Sequence, residues 1–219
     1  MTRFVAIEGA DGAGKATAAA AVVALLRVQG RRATVIAFPR YTATVGGHVL
    51  GDFLAGRLPH ALSPRALATL YALDRFESRD AILEAADAND VVVFDRYIAS
   101  NIAYQAAKVS AAEADALMAW IIALETVQFA MPLPDLSIYL DTPLAVARAQ
   151  IARKQQRAYT DQTYDAHEAD DDLQVRVRAR YAALAAGDRL GRWRHVATGA
   201  DGAMRTPAAI AAEIVAAMD

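Results

Sequence analysis

The chain has 219 residues, a length that suits one domain of ordinary size. Apolar residues make up 55% and charged residues 22%, a globular composition that argues against disorder. A formal net charge of −2 gives no strong field for nucleic acid or an anionic membrane, so neither partner is expected. The chain has no cysteines, which excludes disulfides, thiolate zinc sites and cysteine nucleophiles and favours a cytoplasmic location.

Neither a membrane span nor a signal peptide is predicted. The longest apolar run near the N-terminus, Ala18 to Leu26, is shorter than the roughly 20 residues that a span requires. The first apolar stretch ends at Glu8, before the hydrophobic region of a signal peptide would be complete.

Strand and helix patterns alternate along the chain. The first half predicts a strand at 3–8, a glycine-bearing turn at 9–14, a helix at 15–29, a strand at 32–38 and a helix from Ser63 to about Ala86. The second half predicts a strand at 91–94, helices at 100–108 and 110–129, a strand at 136–140, a helix from Thr142, a long helix ending near Ala186, a strand at 193–197 and a helix from Pro207.

This alternation predicts an α/β fold, a three-layer sandwich around a mostly parallel five-stranded sheet. The whole chain, 1–219, is predicted to form one domain. The polar segment at about 153–172 has no periodicity, and we interpret it as a mobile lid over a site rather than a simple solvated loop.

A phosphate-binding loop follows the first predicted strand. Gly9 to Lys15 matches the pattern GxxxxGK, and its place between a strand and a helix argues against an accidental glycine-rich turn. Glycines let backbone N–H groups turn towards phosphate oxygens, and the lysine supplies charge to the β- and γ-phosphates of ATP. The predicted ATP-binding residues are Gly9, Ala10, Asp11, Gly12, Ala13, Gly14, Lys15, Ala16 and Thr17.

The residue after the lysine departs from the pattern, which requires a serine or threonine hydroxyl for magnesium. Ala16 stands there, and Thr17 is turned about 100° further around the helix. Mg²⁺ with ATP is still the expected cofactor, held by phosphate oxygens, water and the carboxylates of Asp11 and Asp95. The alternative is a non-catalytic nucleotide-binding protein.

A second strand also ends in an acid. Residues 91–94 are apolar and lead to Asp95 and Arg96, the form of a Walker B strand. In a P-loop fold such a strand lies beside the first one, so Asp95 is expected near the metal.

These motifs together resemble the thymidylate kinase family, from Phe4 to about Val196. The resemblance is carried by five groups of residues: the loop with its internal acid, Phe38 to Tyr41, Tyr71 to Arg75, Asp95 to Tyr97 with Ser100, Asn101 and Tyr104, and Asp165 to Glu168. It implies the P-loop nucleoside monophosphate kinase fold and transfer of the ATP γ-phosphoryl group to dTMP. By the same analogy the protein is expected to be a homodimer.

The resemblance also assigns roles. Arg75 and Arg96 would hold the acceptor phosphate, Tyr71 would stack on the base, and Tyr104 would crowd the sugar 2′ position. Ser100 and Asn101 would read the base edge, with Arg75 reaching the thymine carbonyl. The residues implied in dTMP binding are Asp11, Phe38, Pro39, Arg40, Tyr41, Tyr71, Arg75, Arg96, Ser100, Asn101, Tyr104, Asp165, His167 and Glu168.

Catalysis is assigned to Lys15, Arg96, Arg153 and Asp11. Some family members carry an arginine in the loop where this chain has Gly12, so the chain resembles the bacterial type with basic residues in the lid. Among these, Arg153 is expected to reach the transferred phosphoryl group. A kinase for another deoxynucleotide or nucleoside and a nucleic-acid-dependent ATPase are further alternatives.

Overall fold

The computed structural model describes residues 1–153, 170–200 and 203–218, without the side chains of residues 153 and 200. One parallel sheet forms its centre, with strands in the order β2-β3-β1-β4-β5. The strands are β1 (Arg3–Glu8), β2 (Ala33–Ala37), β3 (Val91–Asp95), β4 (Leu136–Asp141) and β5 (Trp193–Ala197). The predicted five-stranded parallel sheet is therefore confirmed. A short antiparallel hairpin, β6 (Gly199–Ala200) and β7 (Ala203–Met204), was not predicted.

Helices cover both faces of the sheet. They are α1 (Lys15–Val28), α2 (Val45–Leu54), α3 (Pro64–Glu77), α4 (Arg79–Ala88), α5 (Ile98–Ala106), α6 (Ala111–Ile122), α7 (Leu144–Arg153), α8 (Asp171–Ala186) and α9 (Pro207–Ala216). A π-helical segment, Ala123–Gln128, continues α6. Within the described residues, no helix is long and apolar enough to cross a membrane.

Two predicted helices differ from the structure. The helix predicted from Ser63 to about Ala86 is interrupted at Ser78, where the hydroxyl and the backbone N–H bond back to the carbonyls of Asp74 and Arg75. Such local bonds compete with the helical ladder, so the single-helix prediction was wrong. The helix predicted to end at Phe129 changes to π-helical pairing at Ala123.

The core lies in two layers, one on each face of the sheet. Val5 and Ile7 pack against α1 and α9 on one face, whereas Val92 and Phe94 pack on the other, against α3, α5 and α8. Side chains alternate between faces along a strand, so the runs of apolar residues in these strands are buried on both sides.

Parallel pairing brings the carboxyl ends of the strands to one edge of the sheet. Ile7 is paired with Asp95, and Glu8 with Tyr139. The loop after β1, Arg96 after β3 and Asp141 at the end of β4 therefore meet at this edge, where open α/β sheets bind their ligands.

Candidate active site

The loop between β1 and α1 curls as the glycine pattern predicts. Gly12 and Gly14 have positive φ angles of 76° and 80°. A Cβ at Gly12 would lie 2.2 Å from the Ala147 carbonyl oxygen of α7, so this backbone leaves no room for a side chain there. The absence of an arginine at Gly12 thus agrees with how closely α7 covers the loop. Lys15 is buried, and its Nζ donates to the Ala10 carbonyl at 2.7 Å.

A pocket of about 360 Å³ adjoins the N-terminus of α1. It is lined by Gly14, Thr17, Ala18, Gln150, Met204, Arg205, Thr206, Pro207 and Ile210. Ala16 is exposed at the start of the helix, and Thr17, one residue later, faces this pocket. We name these residues the donor pocket. Apart from Gly14 and Thr17, sequence reasoning missed its lining, since these residues come from separate helices and a hairpin of two-residue strands and form no local motif.

The acid inside the loop is held by three side chains of the described residues. Asp11 Oδ1 pairs with Arg96 Nη2, and Oδ2 accepts from the Tyr104 hydroxyl at 2.6 Å and from Gln174 Nε2 at 3.0 Å. The Gln174 side-chain oxygen also accepts from the Asp11 backbone N–H at 3.1 Å. The structure thus brings together Asp11, Arg96 and Tyr104, three of the residues predicted to bind dTMP. Gln174, in the first turn of α8, was missed because it looked like any polar residue of a helix.

Arg96 occupies an unusual backbone position. Its φ angle is +66°, and its N–H donates to the Ile7 carbonyl at 3.0 Å. Its Nη1 lies 3.4 Å from both the Gly9 carbonyl oxygen and Ser100 Oγ. The guanidinium therefore sits directly beside the phosphate loop, partly exposed and able to meet an anion.

A buried carboxylate supports this turn. Glu8 is wholly buried and accepts from the Tyr97 backbone N–H at 2.8 Å, Ser100 Oγ at 2.6 Å and the Tyr181 hydroxyl at 3.1 Å. Burial raises the pKa of Glu8, an effect that these hydrogen bonds and the nearby Arg96 only partly offset. Both Glu8 and Tyr181 were missed. An acid in a buried strand, directly before a glycine loop, was the available signal for Glu8.

A second buried ion pair lies between the helices. Arg75 Nε and Nη2 each lie 2.5 Å from a carboxylate oxygen of Glu125, and both side chains are almost fully buried. Asn101 Nδ2 donates to Glu125 Oε1 at 2.9 Å and to the Ala68 carbonyl at 3.0 Å. Arg75 and Asn101, two of the residues predicted to bind dTMP, are thus brought together through an acid that sequence reasoning missed. The phosphate-holding role of Arg75 stays a prediction.

The segment after β2 is fastened to α3. Phe38, joined to Pro39 by a cis peptide bond, packs its ring 5.9 Å from the ring of Tyr97. The Arg40 N–H lies 3.1 Å and 3.2 Å from the two carboxylate oxygens of Asp74. Of the other predicted residues, Tyr41 and Tyr71 are half-buried.

The two predicted metal ligands, Asp11 and Asp95, have different surroundings. Asp11 is engaged as described above, whereas the Asp95 carboxylate accepts no hydrogen bond from any described residue. Among residues 1–153, 170–200 and 203–218, no three His, Asp or Glu side chains cluster as metal ligands would. Asp165, His167 and Glu168 lie outside the described residues, as does the side chain of Arg153.

At the end of β4, Asp141 is the centre of a further cluster of polar side chains. It accepts from Arg178 Nε at 2.7 Å and the Tyr139 hydroxyl at 3.0 Å, and His195 Nε2 lies 3.1 Å away. Burial alone would raise the pKa of Asp141, but Arg178 and His195 hold it below its usual value. This group fastens β4 to α8 and β5 beside the site.

Three comparisons with known proteins agree with this geometry. The family model described as thymidylate kinase matches residues 7–197. The chain is 37% identical to the thymidylate kinase of Mycobacterium tuberculosis over 199 residues, which is 90% of this chain and 92% of that protein. It is 35% identical to the thymidylate kinase of Thermomicrobium roseum, covering 90% and 87%. A solved thymidylate kinase structure from Candida albicans, 20% identical, matches the fold with a TM-score of 0.74 over 99% of this chain and 91% of that one. The chain belongs to the thymidylate kinase family.

Proposed function

We propose that this protein transfers the γ-phosphoryl group of ATP to dTMP, giving dTDP and ADP. The observation that carries the proposal is the contact between the phosphate loop and Arg96, whose Nη1 lies 3.4 Å from the Gly9 carbonyl oxygen. A loop suited to a donor phosphate and a guanidinium suited to an acceptor phosphate thus adjoin at one edge of the sheet. The relatives that carry the name thymidylate kinase support dTMP as the acceptor.

Each side of the site has one task in this reaction. The loop amides and Lys15 neutralise the donor phosphates, and the donor pocket receives the adenine nucleoside. Arg96 binds the acceptor phosphate, whose oxygen is already ionised near neutral pH and needs no strong general base. Phosphoryl transfer depends mainly on such positioning and charge stabilisation.

Magnesium is the metal that we propose accompanies ATP. It binds oxygen ligands, keeps several waters and uses one or two carboxylates with substrate phosphates, so it does not require a preformed cluster of acids. Asp95 fits this set because no described residue donates a hydrogen bond to its carboxylate. When bound, the ion would neutralise charge on the phosphates.

A basic residue of the lid is proposed to complete the site. The proposal is supported by α7, which ends at Arg153 and whose Ala147 carbonyl covers Gly12. We predict that Arg153→Ala lowers kcat by about tenfold or more, the loss of one charge-stabilising donor. The dissociation constant for dTMP should stay unchanged. An unaltered kcat would remove Arg153 from the mechanism.

The decisive experiment is a substrate panel measured by coupled ADP release with ATP and Mg²⁺. It compares dTMP, dUMP, dCMP, dGMP and thymidine. Preferred turnover of dTMP is expected, and preference for another acceptor would reassign the enzyme within the kinases. No magnesium-dependent turnover of any of them would contradict a kinase and favour a non-catalytic nucleotide-binding protein.

A cytoplasmic homodimer is the proposed setting of this activity. Phe76 and Val127 are exposed apolar residues, and the ring of Phe76 packs 4.7 Å from that of Phe129. An apolar surface of this kind suits a protein partner, and the family resemblance names a second copy of the chain. Light scattering on the purified protein tests this assembly.

A further inference from the structure

One buried carboxylate connects three helical elements next to the acceptor side of the site. Glu125 lies in the π-helical segment after α6, Arg75 on α3 and Asn101 on α5. Glu125 is wholly buried and accepts two hydrogen bonds from Arg75 and one from Asn101. Single π-helical turns often occur at functional sites, which draws attention to this residue.

The hydrogen bonds of Asn101 determine which way its carboxamide faces. Its Nδ2 lies 3.0 Å from the Ala68 carbonyl oxygen and 2.9 Å from Glu125 Oε1. A carbonyl and an ionised carboxylate can only accept, so both contacts require the NH₂ group of the carboxamide. The Oδ1 atom therefore occupies the opposite position.

That Oδ1 atom lacks a partner. It is buried and accepts no hydrogen bond within the part of the chain that the structure describes. A buried acceptor without a donor is destabilising, so such an atom calls for a donor, which a bound ligand can supply.

The position of Asn101 on α5 shows where the donor would come from. Ser100, the preceding residue, has its Oγ 3.4 Å from Arg96 Nη1. Tyr104, three residues later and on the same helix face, donates to Asp11. Asn101 thus belongs to the helix surface that meets the acceptor-binding group.

We propose that Glu125 is a positioning residue that determines which base the enzyme accepts. By accepting one of the two NH₂ contacts, beside the Ala68 carbonyl that accepts the other, it keeps Asn101 presenting an acceptor oxygen, the complement of the ring N3–H of thymine. Cytosine has an acceptor at N3, which would face Oδ1 with repulsion. The inference rests on the proposed function, in which the acceptor is dTMP.

Arg75 adds to the same discrimination. Its Nε and Nη2 are both directed to Glu125, and its Nη1 donates to no described residue, so Nη1 can donate to a ligand. A donor matches the O4 carbonyl of thymine and opposes the amino group that cytosine carries at that position. Glu125 therefore orients an acceptor on Asn101 and a donor on Arg75, and both favour thymine over cytosine.

The substitution Glu125→Gln tests this role because it changes almost only the hydrogen-bonding pattern. A glutamine places an NH₂ group where the structure has an acceptor. That group either faces Asn101 Nδ2, donor against donor, or donates to a rotated carboxamide whose Oδ1 no longer points to the base and whose other contact, with the Ala68 carbonyl, is lost. In both cases the orientation of Asn101 is no longer fixed for thymine. The NH₂ group of the glutamine also faces the N–H groups of Arg75, so the guanidinium loses one of its two hydrogen bonds to residue 125.

The measurement is calorimetric titration of the wild type and the variant with dTMP and with dCMP, each as the free nucleotide. We expect Glu125→Gln to reduce the ratio of the dCMP to the dTMP dissociation constant by tenfold or more, with ATP binding unchanged. The fitted stoichiometry reports the folded fraction, so loss of folded protein cannot imitate this change. The matched control is Glu84→Gln on the exposed face of α4, which should leave the ratio unchanged.

An unchanged ratio in Glu125→Gln overturns the proposal. Because removing one member of a buried ion pair can unfold a protein, Glu125→Asp provides a second test that retains the charge. Its shorter side chain should weaken dTMP binding several-fold while preserving preference for dTMP over dCMP. Unchanged dTMP affinity in that variant also overturns the proposal. A wild type that binds no dTMP would instead reject the proposed function, and with it this inference.

Discussion

The acceptor side and the donor side of the site are formed by different kinds of chemical groups. The acceptor side is a network of buried or half-buried charges, in which Arg96, Asp11 and Glu8 are joined through Tyr104 and Ser100. The donor side combines backbone amides, one lysine and the donor pocket, whose lining includes Met204, Pro207 and Ile210. Under the proposed function, this difference means that acceptor recognition depends on fixed side-chain geometry, whereas ATP recognition depends on loop shape and on the lining of the donor pocket.

The largest effect should follow from removing the centre of the acceptor network. Arg96→Ala is expected to lower kcat/KM for dTMP by about a hundredfold or more, since one preorganised charged donor contributes that much to a transition state. It also removes the ion pair between Arg96 and Asp11. Steady-state kinetics with both substrates measure the effect, and KM for ATP should change much less.

The matched control is Arg32→Ala. Arg32 forms an exposed ion pair with Asp90 at the opposite end of the sheet, so its loss should leave the kinetics unchanged. If Arg96→Ala affected both substrates equally, the division into two sides would be wrong.

Glu8 provides a test of the same network through pH. Burial raises its pKa in the folded protein, so the folded state holds a proton that the unfolded state releases. The contribution of Glu8 to stability is therefore complete below its unfolded pKa and is lost as pH rises through the raised value. As pH rises through that value, the free energy of unfolding of Glu8→Gln should increase relative to that of the wild type, because glutamine carries no charge to bury.

Denaturant unfolding of both proteins across this pH range measures the difference. Glutamine keeps an oxygen for the Tyr97 N–H and places an NH₂ near the Ser100 and Tyr181 hydroxyls, which can accept. Glu113→Gln is the control with the opposite sign: hydrogen bonds from Ser110 lower the pKa of this exposed acid, so its contribution is lost as pH falls. If the difference in the free energy of unfolding between the wild type and Glu8→Gln did not change with pH, the pKa of Glu8 would not be raised in the folded protein.

The contrast between the two sides also explains what could be predicted from the sequence. The sheet followed from short apolar runs. Asp11 was found through its place in a glycine loop and Arg96 through its place after a strand end, whereas Asn101 and Tyr104, both on a helix, were found only through the resemblance to the thymidylate kinases. Glu125 was missed because a glutamate in a helical pattern usually faces solvent, and only tertiary packing made it buried.

Other features depended on contacts that a local pattern does not contain. The break at Ser78 arises from its hydroxyl bonding back to the Asp74 carbonyl, although the helical pattern continues beyond it. The hairpin of β6 and β7 consists of two-residue strands, which are too short to show an alternation of apolar and polar residues in the sequence. The donor pocket was missed for the same reason, since Met204 gains its role only by lying against Gly14.

The smallest effect should come from the donor pocket itself. Met204→Ala removes apolar contact worth roughly 1 kcal/mol, so KM for ATP should rise about fivefold while kcat and KM for dTMP stay unchanged. Kinetics at saturating dTMP measure this, with Met118→Ala on α6 as the control for loss of a methionine elsewhere. A hundredfold effect of Met204→Ala, or a change in dTMP affinity, would mean that the hairpin takes part in catalysis. The donor side would then depend on fixed side-chain geometry as much as the acceptor side does.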